Sequence, residues 1–296
     1  MKKPVFTGVC TALVTPFHRG TVDFEKLEQL LDFQIANGVQ AVAVCDTTGE
    51  AATMSEQEQL GVIAHSVQYC KGRMKVIAGT GSNNTAHAVS LSAMADSIGA
   101  DGILVVTPYY NKATGQGLIA HFTAIADAVR CPVIVYNVPS RTGVDISVEV
   151  CKEISKHDRI AGIKEASGSV TKVARILSSC SSDFSVWSGN DDEIVPLMSL
   201  GAKGVISVLS NICPAQTVAM VNACLAGDYG TAGKLQCGYM ELIDALFCEV
   251  NPTPIKHALN MAGFDVGDTR LPLCRLSQPA EERLRRALVS HRIIPT

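Results

Sequence analysis

Eight short β-branched runs, a helical stretch after each, and a repeat of roughly 28 residues between strand starts predict an α/β chain closed into a (β/α)8 TIM barrel. Strands are expected at 8–14, 41–45, 75–78, 102–107, 133–137, 160–164, 184–188 and 205–208. Most are continuous apolar runs rather than alternating ones, as strands covered on both faces of a parallel sheet read. An open doubly wound sheet would normally place a glycine-rich dinucleotide loop after its first strand. Here that strand runs into Thr15-Pro16-Phe17 instead.

The first helix is expected at 24–36, where Phe24, Leu27, Leu30, Leu31 and Ile35 form one stripe. Asp23 supplies its N-cap and Asn37-Gly38 its stop. The second, 55–69, opens with the capping-box spelling Ser55-Glu56-Gln57-Glu58. The third, 85–98, ends at Gly99. Helices at 118–129, 148–155, 170–177, 193–200 and 215–225 complete the alternation. Beyond the eighth unit, 231–248, 255–261 and 280–289 read as helices without a separating linker. The expected organisation is therefore a barrel domain over residues 1–227 and a C-terminal helical domain over 228–296.

Composition narrows the function. The 296 residues are 47% hydrophobic and 18% charged, enough for a sizeable core and unlike a disordered chain. Twenty-eight acids against 25 Lys plus Arg give a formal charge of −3, with no basic surplus for a phosphate backbone. No apolar run approaches the roughly 20 residues of a spanning helix, and Met1-Lys2-Lys3-Pro4 is followed by no signal-peptide core. A cytoplasmic location is expected. The 11 cysteines include no CxxC pair and read as small buried hydrophobes. The seven histidines are scattered, no HExxH occurs, and Gly79-Thr80-Gly81-Ser82-Asn83-Asn84 lacks the last glycine of a dinucleotide loop.

Barrel chemistry sits at the C-terminal strand ends. There Lys164 closes the apolar run Ile160-Ala161-Gly162-Ile163. A buried amine must be paired or deprotonated, and a neutral amine can form a Schiff base with a carbonyl. The competing reading is an ion pair, although Glu165, on the opposite strand face, is a poor partner. Tyr136 ends the neighbouring strand and suits proton relay, or else a satisfied core hydroxyl. Thr47-Thr48-Gly49-Glu50 suits a small carboxylate, or else a plain turn. Arg141 suits a bidentate carboxylate clamp, or else a solvated surface.

Taken in order, several segments resemble the dihydrodipicolinate synthase family, pyruvate-dependent class I aldolases related to N-acetylneuraminate lyase. They are Thr11-Ala12-Leu13-Val14-Thr15-Pro16-Phe17, Thr47-Thr48-Gly49-Glu50, Thr107-Pro108-Tyr109-Tyr110-Asn111, Tyr136-Asn137-Val138-Pro139-Ser140-Arg141-Thr142-Gly143, Gly162-Ile163-Lys164-Glu165-Ala166, Trp187-Ser188-Gly189-Asn190-Asp191, Gly204-Val205-Ile206-Ser207 and Asn251-Pro252. The resemblance implies an imine between Lys164 and pyruvate, followed by condensation with L-aspartate-4-semialdehyde, in lysine and diaminopimelate biosynthesis. It implies a proton relay of Tyr136, Thr47 and Tyr110, a pyruvate-carboxylate contact at Thr48, and a semialdehyde-carboxylate contact at Arg141. Gly189 and Ile206 match backbone positions around the pocket. No organic cofactor or catalytic metal is implied. A homotetramer built as a dimer of dimers is, with Tyr110 lent to the neighbouring site.

The family's lysine-inhibition site maps onto Ala51, Glu56, Asn83, His87 and Tyr109, with His87 where sensitive members carry a carboxylate. One further departure is Asp46, where the family usually has glycine. A carboxylate there should repel anionic pyruvate unless it turns away or is paired. The rival readings are a sugar-acid or N-acetylneuraminate lyase, which typically lacks the arginine at 141, and a non-catalytic binding barrel.

Overall fold

The computed structural model describes residues 2–296. Its eight parallel strands are β1 Gly8–Ala12, β2 Ala41–Val44, β3 Lys75–Gly79, β4 Gly102–Val106, β5 Val133–Asn137, β6 Ile160–Glu165, β7 Ser185–Ser188 and β8 Gly204–Ser207. Each pairs with its sequence neighbours. β1 pairs with both β2 and β8, through Cys10 opposite Ala41 and Gly8 opposite Gly204, so the sheet closes. The expected barrel is therefore the observed one.

Alternation along the strands sorts side chains into two cores. Val9, Val42, Val44, Val76, Ile103, Val105, Val133, Val135, Ile163, Val186 and Val205 belong to the layer shared with the helices. Cys10, Ala12, Ala41, Ala43, Ile77, Leu104, Ile134, Tyr136, Trp187 and Ile206 fill the lumen. Phe6 stacks on Trp187 at 5.1 Å between ring centroids, and the Trp187 indole N–H donates to the Phe6 carbonyl at 3.2 Å. Burying aromatic rings of this size at the strand base makes the lumen a packed core rather than a channel.

The helices are α1 Phe24–Ala36, α2 Glu56–Cys70, α3 Thr85–Ile98, α4 Gly115–Asp127, α5 Val148–Ile154, α6 Val170–Ser179, α7 Ile194–Ser199, α8 Pro214–Leu225, α9 Tyr229–Leu246, α10 Thr253–Met261 and α11 Gln278–Ser290. Capping fixes several starts. Asp23 accepts from Lys26 N at 3.0 Å, and Ser55 and Glu58 complete the capping box on α2. Gly99 ends α3 in the left-handed region at φ 101°. α4 begins three residues earlier than expected because Thr114 caps it through the amide of Gly117. The two glycines there had masked the start. Two other departures are a small hairpin, Phe17–His18 with Thr21–Val22, and a helical turn over Pro139–Thr142 where a plain loop was expected. α9 packs on α8 and α11. Among the described residues no helix is long and apolar enough to cross a membrane. All 11 cysteines are free, six of them buried, while Cys237 and Cys274 are exposed.

Candidate active site

Strand register places the two central side chains together. Tyr136 lies opposite Lys164, and Lys164 opposite Trp187. All three side chains therefore share the luminal face. The Lys164 Nζ stands 3.8 Å from the centroid of the Tyr136 ring. It also donates to Asp46 Oδ2 at 2.8 Å, with the lysine side chain 4% and the aspartate side chain 7% exposed. The ion-pair reading of Lys164 is therefore the one observed, with Asp46 rather than Glu165 as the partner. Asp46 is paired, as the sequence required if a carboxylate was to be tolerated there. Burial alone would push the Lys164 ammonium down, but attraction to Asp46 and Tyr136 outweighs it and holds the ammonium above its ordinary value. Burial also raises the Tyr136 phenol, against the opposing charge of Lys164. Glu165 faces the other way, where it accepts from the Asn137 side chain at 3.0 Å and from Ser167 N at 2.7 Å.

The loop after β2 carries Asp46, Thr47 and Thr48. It is bracketed by two non-glycine residues in the left-handed region, Cys45 and Glu50, each at φ 56°. Such residues cost of order 1–3 kcal/mol each and persist only where their surroundings hold them. The support comes largely from the C-terminal region. Glu50 Oε1 accepts from Lys256 Nζ at 2.8 Å, both side chains essentially inaccessible, and Glu50 Oε2 accepts from Arg270 N at 2.9 Å. Burial depresses the Lys256 ammonium despite its partner. The Asn251 side-chain amide donates to Thr48 Oγ1 at 3.0 Å, and the Asn251 carbonyl accepts from Arg141 Nη2 at 3.3 Å. Lys256 and the role of Asn251 escaped the sequence reading. The available signal was a lysine inside the apolar run Pro254-Ile255-Lys256-His257-Ala258-Leu259.

Gly189 and Ile206 also lie at this end. A Cβ on Gly189 would stand 2.7 Å from the Ala166 Cβ and 3.2 Å from Lys164 Cγ, so glycine leaves room for the lysine stem. Ile206 is buried in the lumen. Asp191, quoted in the sequence without a role, accepts from Val208 N and Leu209 N at 3.0 and 2.8 Å and ties the loops after β7 and β8 together. Arg141 is exposed. Tyr110 is 90% exposed at φ 74°, and Tyr109 is 41% exposed, so within one chain Tyr110 is not packed against the Lys164–Tyr136 pair. At the mapped inhibition site, His87 Nε2 lies 3.1 Å from Glu56 Oε2 and its Nδ1 3.2 Å from Ser82 Oγ. The Asn83 and Ala51 carbonyls accept from Asn111 and Gln59. Among the described residues no three His, Cys, Asp or Glu side chains come together as a metal site.

The family model for the dihydrodipicolinate synthetase family matches residues 5–291. A 4-hydroxy-tetrahydrodipicolinate synthase of Caldicellulosiruptor saccharolyticus is 51% identical over 291 residues, 98% of each chain. One of Acetivibrio thermocellus is 46% identical over 294 residues, 99% of this chain and 100% of the relative. The crystal structure of dihydrodipicolinate synthase from Aquifex aeolicus superposes with a TM-score of 0.96 at 43% identity, covering 98% of this chain and all of the other.

Proposed function

The chain belongs to the dihydrodipicolinate synthetase family, and on that premise we propose that it condenses pyruvate with L-aspartate-4-semialdehyde to 4-hydroxy-tetrahydrodipicolinate through an imine on Lys164. The observation that carries this reading is a buried lysine amine at the open end of the barrel, 3.8 Å from the ring of its register partner Tyr136. The amine adds to the pyruvate C2 carbonyl and water leaves, giving an iminium. Loss of a C3 proton gives the enamine, and its C3 attacks the semialdehyde carbonyl. The semialdehyde's own amine then attacks C2, displaces Lys164 and closes the ring. Lys164 supplies the covalent chemistry, so the sequence of steps calls on no organic cofactor.

In this reading Tyr136, Thr47 and Tyr110 relay protons, and Thr48 receives the pyruvate carboxylate. Gly189 and Ile206 wall the pocket, and Arg141 receives the semialdehyde carboxylate. Arg141 is already oriented by the Asn251 carbonyl. Tyr110 enters from a second copy of the chain, which fits its 90% exposure. Assembly varies among similar structures, since one at 40% identity is described as a monomeric variant. Six of the 11 cysteines are buried as small hydrophobes, and a cytoplasmic location remains part of this reading. The sugar-acid lyase alternative is not favoured, because Arg141 is present and the relatives above are synthases.

The test is borohydride reduction in the presence of pyruvate, followed by intact mass. A covalent adduct is expected on the wild type and none on Lys164→Ala, with the far-UV circular dichroism unchanged. Trapping that persists in Lys164→Ala overturns the assignment. Arg141→Ala should leave trapping intact and weaken use of the aldehyde by about 2–3 kcal/mol, the scale of a charged hydrogen-bonded contact. Equal losses in trapping and turnover would remove Arg141 from that role.

A further inference from the structure

We propose that Asp46 is a further catalytic residue, the proton carrier that discharges the Lys164 ammonium and returns its protons to the water that leaves as the imine forms. The inference rests on the reading of Lys164 as the nucleophile. Its own ground is geometric. Asp46 Oδ2 is 2.8 Å from Nζ, it is the only side-chain atom hydrogen-bonded to that nitrogen among the described residues, and both side chains are almost fully buried. On its other flank Nζ faces the Tyr136 ring, which favours a cation but offers that nitrogen no acceptor lone pair from its π face.

The proton count matches this placement. An ammonium carries three N–H protons and the iminium carries one. The two that nitrogen gives up are the two that convert the carbonyl oxygen into water. Asp46 takes the first proton, which leaves a neutral amine to add to C2. It hands that proton to the carbinolamine oxygen, takes the second from the now cationic carbinolamine nitrogen, and delivers it as the C–O bond breaks. No proton is gained or lost overall, and no other reactant is needed. The first transfer also neutralises both members of the pair at once. The carboxylate of an incoming 2-oxo acid then meets a carboxylic acid rather than a second bare carboxylate, which removes the repulsion that an aspartate at this position would otherwise cause.

The groups facing Lys164 come from several elements. They are Asp46 from the loop after β2, Tyr136 from β5 and Cys10 from β1, and Tyr136 in turn feels Arg141 and the Thr47 hydroxyl. The Cys10 thiol is pushed up by burial and stays protonated. Asp46 is therefore the one facing group that offers a carboxylate oxygen already bonded to the nitrogen.

Single-turnover borohydride trapping with pyruvate, quenched at short times and read by intact mass, tests this. With the carrier in place, the wild-type trapping rate should be nearly flat between about pH 6 and pH 8. Asp46→Asn should slow trapping at neutral pH by about 100-fold, the scale of a lost general acid–base. Its residual rate should climb about tenfold per pH unit, as the lysine must lose its proton without the carboxylate. Asp46→Gly serves as a second variant that introduces no new polar group. Circular dichroism and the thermal midpoint certify both folds. Trapping in both variants that equals or exceeds the wild-type rate overturns the proposal and makes Asp46 a brake on the nucleophile. A wild-type rate that itself climbs tenfold per pH unit overturns it without any variant. If Lys164→Ala still traps pyruvate, the nucleophile assignment has failed. If Lys164→Ala abolishes trapping while the Asp46 variants behave like wild type, the proton-carrier role alone has failed.

Discussion

His87 and Glu56 illustrate how one pairing redirects a site. In many members of the resembled family, lysine inhibits by binding where these residues map, and sensitive members typically carry a carboxylate at the position of His87 to hold a ligand amine. Here His87 replaces that carboxylate, and Glu56, the nearest substitute, is already 3.1 Å from His87 Nε2. Losing a charged acceptor costs roughly 1.5–3 kcal/mol, a factor of about 10 to 150 in affinity. Lysine is therefore expected to inhibit weakly or not at all. A steady-state titration that gives half-inhibition below about 1 mM would sink this expectation. Single residues of the active site differed in how legible they were. Lys164 and Tyr136 stood out because each ends an apolar strand with a functional group at the face where barrels do chemistry. Asp46 was legible as an oddity, but its partner was not. The contact spans 118 residues of sequence and exists only because the barrel brings β2 and β6 to one lumen.

Among the elements, the loop after β2 depends most on distant support. Its left-handed Glu50 is held by the buried pair with Lys256, which joins the loop to α10. Removing one member leaves an uncompensated buried charge, so Lys256→Met should destabilise the fold by about 3–5 kcal/mol in urea unfolding. Replacing both members with apolar residues should restore much of that loss. Should Lys256→Met prove as stable as the wild type, the support lies elsewhere. Sequence order gave the strands and helices because each carries its own periodicity. It could not give this pairing, in which a short motif is propped by a helix about 200 residues away. α4 holds a second prediction. His121 is 3% exposed, and burial lowers its imidazole from 6.5 to about 4. As pH falls below about 6.5 the unfolded chain takes up this proton and the folded chain does not. Stability therefore drops through that window and levels off below about 4, for a total of roughly 3 kcal/mol. His121→Gln should flatten the decline in thermal midpoint between about pH 6.5 and 4.5, above the range where Glu58, held at about 2 by Arg270, starts to contribute. An unchanged decline would exclude His121 as its source.

At the scale of the whole molecule, one chain forms a closed barrel whose proposed nucleophile, Lys164, is buried in place, while one proposed relay residue, Tyr110, faces solvent. A large aromatic side chain left 90% exposed in a strained loop fits contact with another copy. The active form is accordingly expected to be at least a dimer. Sedimentation under assay conditions that finds a fully active monomer would refute this. The barrel was readable from the count and spacing of its strands, because eight βα units leave few other ways to bury both faces of a parallel sheet. Assembly was not readable in the same way. The residues that would meet a partner carry no periodicity, only exposure, and exposure is a property of the folded surface.

The stacked floor of the lumen has an optical consequence. Trp187 is the chain's one tryptophan, fully buried, hydrogen-bonded to the Phe6 carbonyl and in register with Lys164 on the adjacent strand. Indole emission from this protein therefore comes from a single known place. It should be blue-shifted while the strands stay closed, and it should shift to the red when water reaches the base of the lumen. Fraying of the last helix, Gln278–Ser290, should leave it unchanged, so emission and helical ellipticity would part company if the C-terminal helices melted first. The same fluorophore sits one strand away from the nitrogen proposed to become an iminium. Adding pyruvate should thus change its intensity in the wild type and not in Lys164→Ala, giving a continuous, reagent-free trace of a covalent step otherwise seen only after quenching.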